Sequence, residues 1–251
     1  MKIQVIGVGV VGSAQAYLLS KLGHQVLGYD HHRTSFEYAT MIKEIAKDVD
    51  LTFICVPEVF VPDVVKDLVS KKVGGLYVIK STVPPGTTAS LMATYDLHIC
   101  HNPEFLREKI AFEDVLNPDS VVIGQCCSEH AAILQKLYAP LKCPVALTNP
   151  TVSETLKVTL NSYLATLISF WNEINEIALK LNLSTKEIAE LACLNPRISK
   201  YGTEFFGTAF GGKCLPKDLD QLIDISLKAG LKPQLLEAVR DYNRTLNVNS
   251  L

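Results

Sequence analysis

Lys2-Ile3-Gln4-Val5-Ile6-Gly7-Val8-Gly9-Val10-Val11-Gly12 opens the chain, and Gln25-Val26-Leu27-Gly28-Tyr29-Asp30 follows one helical segment later. Lys2–Ile6 is a β-rich run and predicts a strand. A helical pattern runs from Ser13 to Leu22 and Gly23 closes it. Gln25–Tyr29 predicts the next strand, ended by Asp30. Strand, glycine-rich turn, helix and strand in this order form a dinucleotide-binding unit. Gly7 permits the tight turn, Gly9 lets the backbone approach a pyrophosphate, and Gly12 lets the helix pack on the strand. The helix start around Val10 and Val11 offers unpaired N–H groups to the phosphates. Asp30 lies eighteen residues beyond Gly12, where a carboxylate can accept both ribose hydroxyls and repel a 2′-phosphate. NAD is therefore the expected cofactor, in preference to NADP. Arg33, after His31 and His32, is the residue that would argue for a 2′-phosphate, but the stretch reads as a solvated loop.

Working outward, further strands are expected at Leu51–Val56, Leu76–Ile79, Leu97–Cys100 and Val121–Ile123, with a shorter one near Pro144–Leu147. Helical segments separate them, which indicates a mainly parallel sheet covered on both faces. Ligands of such sheets bind beyond the carboxyl ends of the strands. The loops expected there contain Val56-Pro57-Glu58, Lys80-Ser81-Thr82-Val83-Pro84-Pro85-Gly86 and His101-Asn102-Pro103-Glu104-Phe105-Leu106-Arg107-Glu108. Val56, Pro57, Ser81 and Thr82 are accordingly expected to touch the cofactor.

The pattern changes near Asn149-Pro150. Thr151 and Glu154 read as a capping box, and a helical pattern then runs unbroken to about Leu181. Ser184 and Glu187 open a shorter helix to about Leu194, and helices are expected over Asp218–Lys228 and Pro233–Asn243. The fold class is α/β: a Rossmann-type doubly wound sheet over 1–150, then an all-helical domain over 151–251 with a long connecting helix. That helix carries Leu160, Leu164, Leu167, Ile168 and Trp171, more apolar surface than a small domain covers, so a homodimer through it is expected.

Composition narrows the class. A chain of 251 residues with 48% hydrophobic content can bury a sizeable core. A net charge of −2 gives no electrostatic case for nucleic acid or an anionic membrane as partner. No apolar run approaches a membrane span, and Met1–Gly7 enters a strand with no room for a signal peptide. The seven cysteines are odd in number and show no CxxC spacing. A reduced cytoplasmic protein without a metal site is the expectation.

One cysteine stands apart. Phe210-Gly211-Gly212-Lys213-Cys214-Leu215-Pro216-Lys217-Asp218 places a thiol after a Gly-Gly pair, with lysine and aspartate nearby. A thiolate attacks carbonyl carbon, and a hydride acceptor at the other end of the chain complements it: together they suggest oxidation of an alcohol to an acid. Cys126 and Cys127, followed by Ser128-Glu129-His130, lie outside any catalytic motif.

Five motifs together, the glycine-rich turn, Lys80–Gly86, Asn102–Glu108, Glu154-x-x-Lys157-x-x-x-Asn161 and Gly211–Asp218, resemble the UDP-glucose/GDP-mannose dehydrogenases. These are NAD-dependent oxidoreductases that turn a nucleotide sugar into a uronic acid in a four-electron reaction. The resemblance implies that Cys214 forms the thiohemiacetal and then the thioester. It implies that Lys157 and Asn161 stabilise oxyanions, that Asp218 with a water accepts a proton, and that Thr82 and Glu104 position and activate the hydrolytic water. Phe105, Leu106, Arg107, Lys157, Asn161 and Gly211 would contact substrate. Arg197 is similar to a family arginine that reaches the substrate of the partner subunit.

The chain also departs from the pattern. Family members usually carry a third, C-terminal α/β domain that holds much of the nucleotide, and this sequence stops at Leu251, where that domain would be reached. It is short between Asp30 and the third strand, and Lys213 stands where small or aromatic residues are more usual. The expectation is a chain lacking that domain. Another chain supplies it, or the substrate is smaller, or activity is weak or lost. A two-electron hydroxy-acid dehydrogenase of similar two-domain architecture and a non-catalytic dimeric binding subunit are the alternative functions.

Overall fold

Short aliphatic runs separated by helical segments bury both their faces only when helices cover the sheet on each side. The chain does this. Its structure, a computed structural model, describes residues 1–246. Two units are distinguished, Met1–Lys157 and a second beginning at Val158.

The first unit carries β1 (Lys2–Ile6), β2 (Gln25–Tyr29), β3 (Thr40–Met41), β4 (Leu51–Ile54), β5 (Leu76–Ile79), β6 (Ile99–His101), β7 (Val121–Gly124) and β8 (Val145–Thr148). They form one sheet in the order β3-β2-β1-β4-β5-β6-β7-β8. All neighbours are parallel except β6 and β7, which are antiparallel. The strand order reverses direction at β1, so the cleft beyond β1 and β4 is the topological switch point where such sheets take ligands. The helices are α1 (Val10–Lys21), α2 (Val61–Ser70), α3 (Thr87–Tyr95), α4 (Ala111–Leu116) and α5 (Ser128–Tyr138).

Strand alternation sorts the core into two layers. Ile3, Val5 and Phe53 pack with Ala14 and Leu18 of α1 and Leu134 of α5. Ile6 and Ile54, on the other face, pack with Val61, Val65 and Leu68 of α2 and Leu91 of α3. Gln4 faces this second layer, fully buried, and its amide donates to Thr52 Oγ1 at 2.9 Å and to the Ala46 carbonyl at 3.2 Å. The sixth strand begins at Ile99, two residues beyond its predicted start at Leu97, and β3 is too short to leave any periodic signal.

The long helix α6 (Pro150–Lys180) crosses from the first unit into the second. Its start corrects the predicted capping box. Asn149 is the cap: its side-chain oxygen accepts from Val152 N at 2.9 Å and its carbonyl from Ser153 N at 3.1 Å, with Pro150 leading the helix. Glu154 turns away to groups described below. In the second unit, α7 (Thr185–Ala192) is capped by Ser184, which accepts from Glu187 N. Helix α8 (Leu215–Lys228) begins three residues before the predicted Asp218, and α9 (Gln234–Thr245) follows. Ala165 and Ile168 of α6, Leu219 and Ile223 of α8 and Val239 of α9 close a small core around Phe210. The Phe210 backbone is pinned on both sides by Asn243, whose Oδ1 accepts its N–H at 2.8 Å and whose Nδ2 donates to its carbonyl at 3.0 Å.

Candidate active site

The turn after β1 is built for close approach. Gly7 has φ +86°, a left-handed conformation, and a Cβ there would meet the Cys55 carbonyl oxygen at 2.8 Å. A Cβ on Gly12 would lie 1.8 Å from the Gly7 oxygen, so helix α1 reaches the strand only through this glycine. At Gly9 nothing lies within 4 Å of where a Cβ would be. That open space faces a cleft of about 650 Å³ lined by Gly9, Val10, Ser13, Arg33 and Phe36 from one side and by 108–113 from the other. The cleft adjoins the glycine-rich turn and the first turn of α1, where the sequence led us to expect the pyrophosphate. Val56 and Ser81 flank the same sheet end: Ser81 Oγ donates to the Val56 carbonyl at 2.5 Å. Pro57 is exposed and Thr82 half-buried beside them.

Asp30 is held before any ligand arrives. Its Oδ2 accepts from Val8 N at 2.7 Å, and its Oδ1 from His32 N at 2.8 Å and Arg33 N at 3.1 Å. Partial burial works to raise its carboxyl, but these three N–H groups outweigh it and leave it below its ordinary value. A carboxylate offers about four acceptor positions. Three are filled, so one acceptor position on Oδ2 remains for a hydroxyl, where the sequence suggested acceptance of both. Arg33 is exposed on a loop, as the sequence led us to expect, and its side chain makes two contacts there. It donates to Ser13 Oγ at 2.8 Å, and its guanidinium lies 5.2 Å from the centre of the Phe36 ring.

Beyond β5 and β6 the first unit gathers buried polar groups. Lys157 and Glu104 form an ion pair at 3.1 Å, with side chains only 5% and 10% exposed. Glu104 Oε2 accepts from Leu106 N at 2.7 Å, and the Lys157 ammonium lies 5.5 Å from the Phe105 ring centre. Arg107 is exposed but fixed by a two-pronged pair with Asp114, at 2.6 and 3.1 Å. Glu154, fully buried, accepts from Gly86 N at 2.6 Å, from Thr88 N at 2.8 Å and from Thr88 Oγ1 at 2.5 Å. It therefore caps α3 and docks the start of α6 on it. Burial pushes its carboxyl up, and these hydrogen bonds pull it partly back.

In the second unit Cys214 occupies the cap position of α8 and is exposed. Asp218 N bonds to the Cys214 carbonyl at 2.9 Å, closing the first turn. The Asp218 side chain is 1% exposed. Its Oδ2 accepts from Asn161 Nδ2 at 2.5 Å, and Lys217 Nζ lies 2.7 Å from Oδ1. Gly211 is exposed, and so is Arg197, whose Nε donates to Asn195 Oδ1 at 3.2 Å.

Residues 31–142 match the UDP-glucose/GDP-mannose dehydrogenase family, NAD binding domain, and residues 151–245 match the same family's central domain. A UDP-glucose 6-dehydrogenase of Rickettsia typhi is 32% identical over 97% of this chain and 67% of its own length. One of Rickettsia conorii is 39% identical over 67% of this chain, though only 40% of its own length is matched. The chain belongs to the UDP-glucose/GDP-mannose dehydrogenase family. Among solved structures, a UDP-glucose dehydrogenase from Pyrobaculum islandicum superposes with a TM-score of 0.89 at 29% identity, covering 97% of this chain and 68% of that one.

Within this member of the family the structure adds residues that sequence reasoning passed over. Lys80 is buried and donates to Asn102 Oδ1 at 2.9 Å; burial lowers its pKa to about 8, against the pull of Cys55 and Glu104. Asn102 Oδ1 also accepts from Tyr138 OH at 2.5 Å, and Asn102 Nδ2 donates to the Val122 carbonyl at 2.8 Å. His101 is fully buried between Ser153 Oγ at 2.8 Å and the Ser81 carbonyl at 3.3 Å. The carbonyl can only accept, so Nε2 carries the proton, and burial drives the pKa down to about 3. His101 is a neutral strut beneath Ser81. Lys80, His101 and Asn102 sit inside the quoted motifs, but a motif does not say which side chains point inward.

Proposed function

We propose that the chain is a nucleotide-sugar 6-dehydrogenase of the UDP-glucose type, taking a primary alcohol to a carboxylate with two equivalents of NAD. The observation that carries the reading is the first turn of α8: an exposed Cys214 one turn before a buried Asp218 held by Asn161. A helix N-terminus favours a thiolate over a thiol. NAD supplies the hydride acceptor twice.

The chain's own residues supply the rest. Asp218, through a water, takes the proton of the alcohol as it becomes an aldehyde. The Cys214 sulphur adds to the aldehyde carbon, giving a thiohemiacetal whose oxyanion Lys157 and Asn161 stabilise. Loss of the second hydride leaves a thioester. Glu104, with Thr82, activates the water that cleaves the carbon–sulphur bond and releases the carboxylate and the Cys214 thiol. Per alcohol, two NAD and one water are consumed, and two NADH and three protons are released. Phe105, Leu106, Arg107 and Gly211 would line the sugar, with Arg197 reaching across a dimer. A thiol nucleophile persists in a reducing compartment, so a cytoplasmic placement belongs with this reading.

The dimer rests on α6. Tyr163, Phe170 and Ile177 are 55%, 52% and 50% exposed and recur every seven residues, so they form one stripe with Leu160. Ile168 and Trp171, counted toward that surface from sequence, are instead buried in the second unit. Counting NADH formed per nucleotide sugar tests the activity. Two supports it; one favours the two-electron hydroxy-acid dehydrogenase; none, with NAD bound, favours a binding subunit.

A further inference from the structure

Cys126 and Cys127 lie outside every motif used above, and no CxxC spacing advertises them. The antiparallel step in the sheet gives them company. His101 pairs with Gly124, the sole registered pair between β6 and β7 among the described residues. Continuing that register brings residue 98, just before β6, opposite residue 127. Helix α5 starts at Ser128, so His130 sits in its first turn and faces back toward the same point.

The side chains converge there. Cys126 Sγ lies 3.2 Å and Cys127 Sγ 3.3 Å from His130 Nδ1. The His98 and His130 rings stand edge to face with centres 5.2 Å apart. One ligand atom from each of His98, Cys126, Cys127 and His130 falls within 4.8 Å of all the others. We propose that these four residues bind a single zinc ion in a tetrahedral site of two sulphurs and two nitrogens.

The geometry is close to what zinc requires. Zinc–sulphur bonds of about 2.3 Å and zinc–nitrogen bonds of about 2.0–2.1 Å at the tetrahedral angle set S···S edges near 3.8 Å and S···N edges near 3.6 Å. The two S···N distances need to open by only a few tenths of an ångström. Two thiolates and two neutral imidazoles balance the dication, so the occupied site carries no net charge. A soft–borderline S₂N₂ set selects zinc over magnesium or calcium, which demand oxygen.

Coordination takes both cysteines as thiolates, so zinc binding releases protons. Cys100, fully buried with its sulphur 3.6 Å from Cys126, can donate S–H to the bound sulphur and so position it. His98 is exposed, which leaves a route from solvent. With four protein ligands no coordination position stays open, so the site is structural. It lies at the amino end of β6, at the opposite rim of the sheet from Gly9 and Asp30. There it would clamp β6 to the β7–α5 junction, where one ladder pair joins the strands among the described residues.

The test measures metal directly. Protein purified under a phosphine reductant is stripped with chelator, dialysed against micromolar zinc and analysed by elemental mass spectrometry. About one zinc per chain is expected, falling to near none in Cys127→Ser and His130→Ala and unchanged in Cys143→Ser. Cobalt(II) titration of the stripped wild type needs no variant; it should saturate at one equivalent with the intense visible bands of tetrahedral thiolate coordination. Folded wild type that holds no zinc, zinc retained by both ligand variants, or an octahedral cobalt spectrum overturns the proposal. So does a Cys100–Cys126 or Cys126–Cys127 disulfide in the reduced preparation.

Discussion

Asp30→Asn replaces one oxygen of a carboxylate that three backbone N–H groups already hold, and its effect on cofactor choice follows from counting acceptors. The amide oxygen can keep His32 N and Arg33 N, but the new NH₂ then faces Val8 N, a donor against a donor. Alternatively the oxygen keeps Val8 N and the other two are lost. Either way at least one N–H in the turn loses its partner, at a cost of about 1–3 kcal/mol to the local fold. The first orientation leaves fewer N–H groups unpaired, and in it the acceptor position left on Oδ2 is lost too. A hydrogen bond from a ribose hydroxyl to a charged acceptor contributes about 1.5–3 kcal/mol, which is roughly 10- to 150-fold in affinity. Repulsion of a 2′-phosphate disappears at the same time, and Arg33 already stands beside Ser13 at the cleft. Wild type should bind NAD in clear preference to NADP. The variant should lose about 10- to 150-fold for NAD while NADP is unchanged or tighter. Calorimetric titration of both cofactors measures this, with circular dichroism confirming the fold. A folded variant whose NAD affinity moves less than about twofold would show that Asp30 does not meet the ribose, and wild type preferring NADP would pass the role to Arg33.

Cys214→Ser should leave NAD affinity intact and abolish turnover to the acid; full two-NADH turnover in this variant would rule out the covalent route. Glu154→Gln keeps the shape but presents an amide where Gly86 N and both Thr88 donors need acceptors, so a loss of about 1–3 kcal/mol is expected from urea midpoints; no change would mean that α3 is capped otherwise. His101 stays neutral to about pH 3, whereas the unfolded chain protonates it near 6.5. The unfolded state therefore binds more protons between those values, and stability should fall as pH drops through that window. His101→Gln should flatten the slope, and an unaltered slope would refute the assignment. Phe170→Asp, in the middle of the exposed stripe on α6, should convert a dimer to monomer in sedimentation at micromolar concentration; a monomeric wild type would end that reading.

The strand–turn–helix–strand unit, the doubly wound class and the long helix were legible in the sequence because each rests on a local period or a local backbone demand. Gly12 is required by a contact five residues away, and Ser184 caps its own helix. The candidate site was legible only as motifs. Which partner each buried polar group takes was decided by tertiary structure. Glu154 satisfies a local capping rule in sequence, but in the fold the unpaired N–H groups of α3, 66 and 68 residues away, take its carboxylate. Arg33 is the exposed loop residue the sequence indicated, but only the fold places Ser13 and Phe36 beside it. Ile168 and Trp171 belong to the same long apolar pattern as the exposed residues of α6, and only their packing, Ile168 with α8 and α9 and Trp171 beside Gly202 and Phe206, determines which side is covered. The cluster of His98, Cys126, Cys127 and His130 has no sequence spacing to betray it, because the register of one antiparallel strand pair brings His98 to the others. Local sequence sets backbone periodicity and turns. Long-range register and burial decide which donors meet which acceptors, because an unpaired polar group in the interior costs more than any local preference contributes.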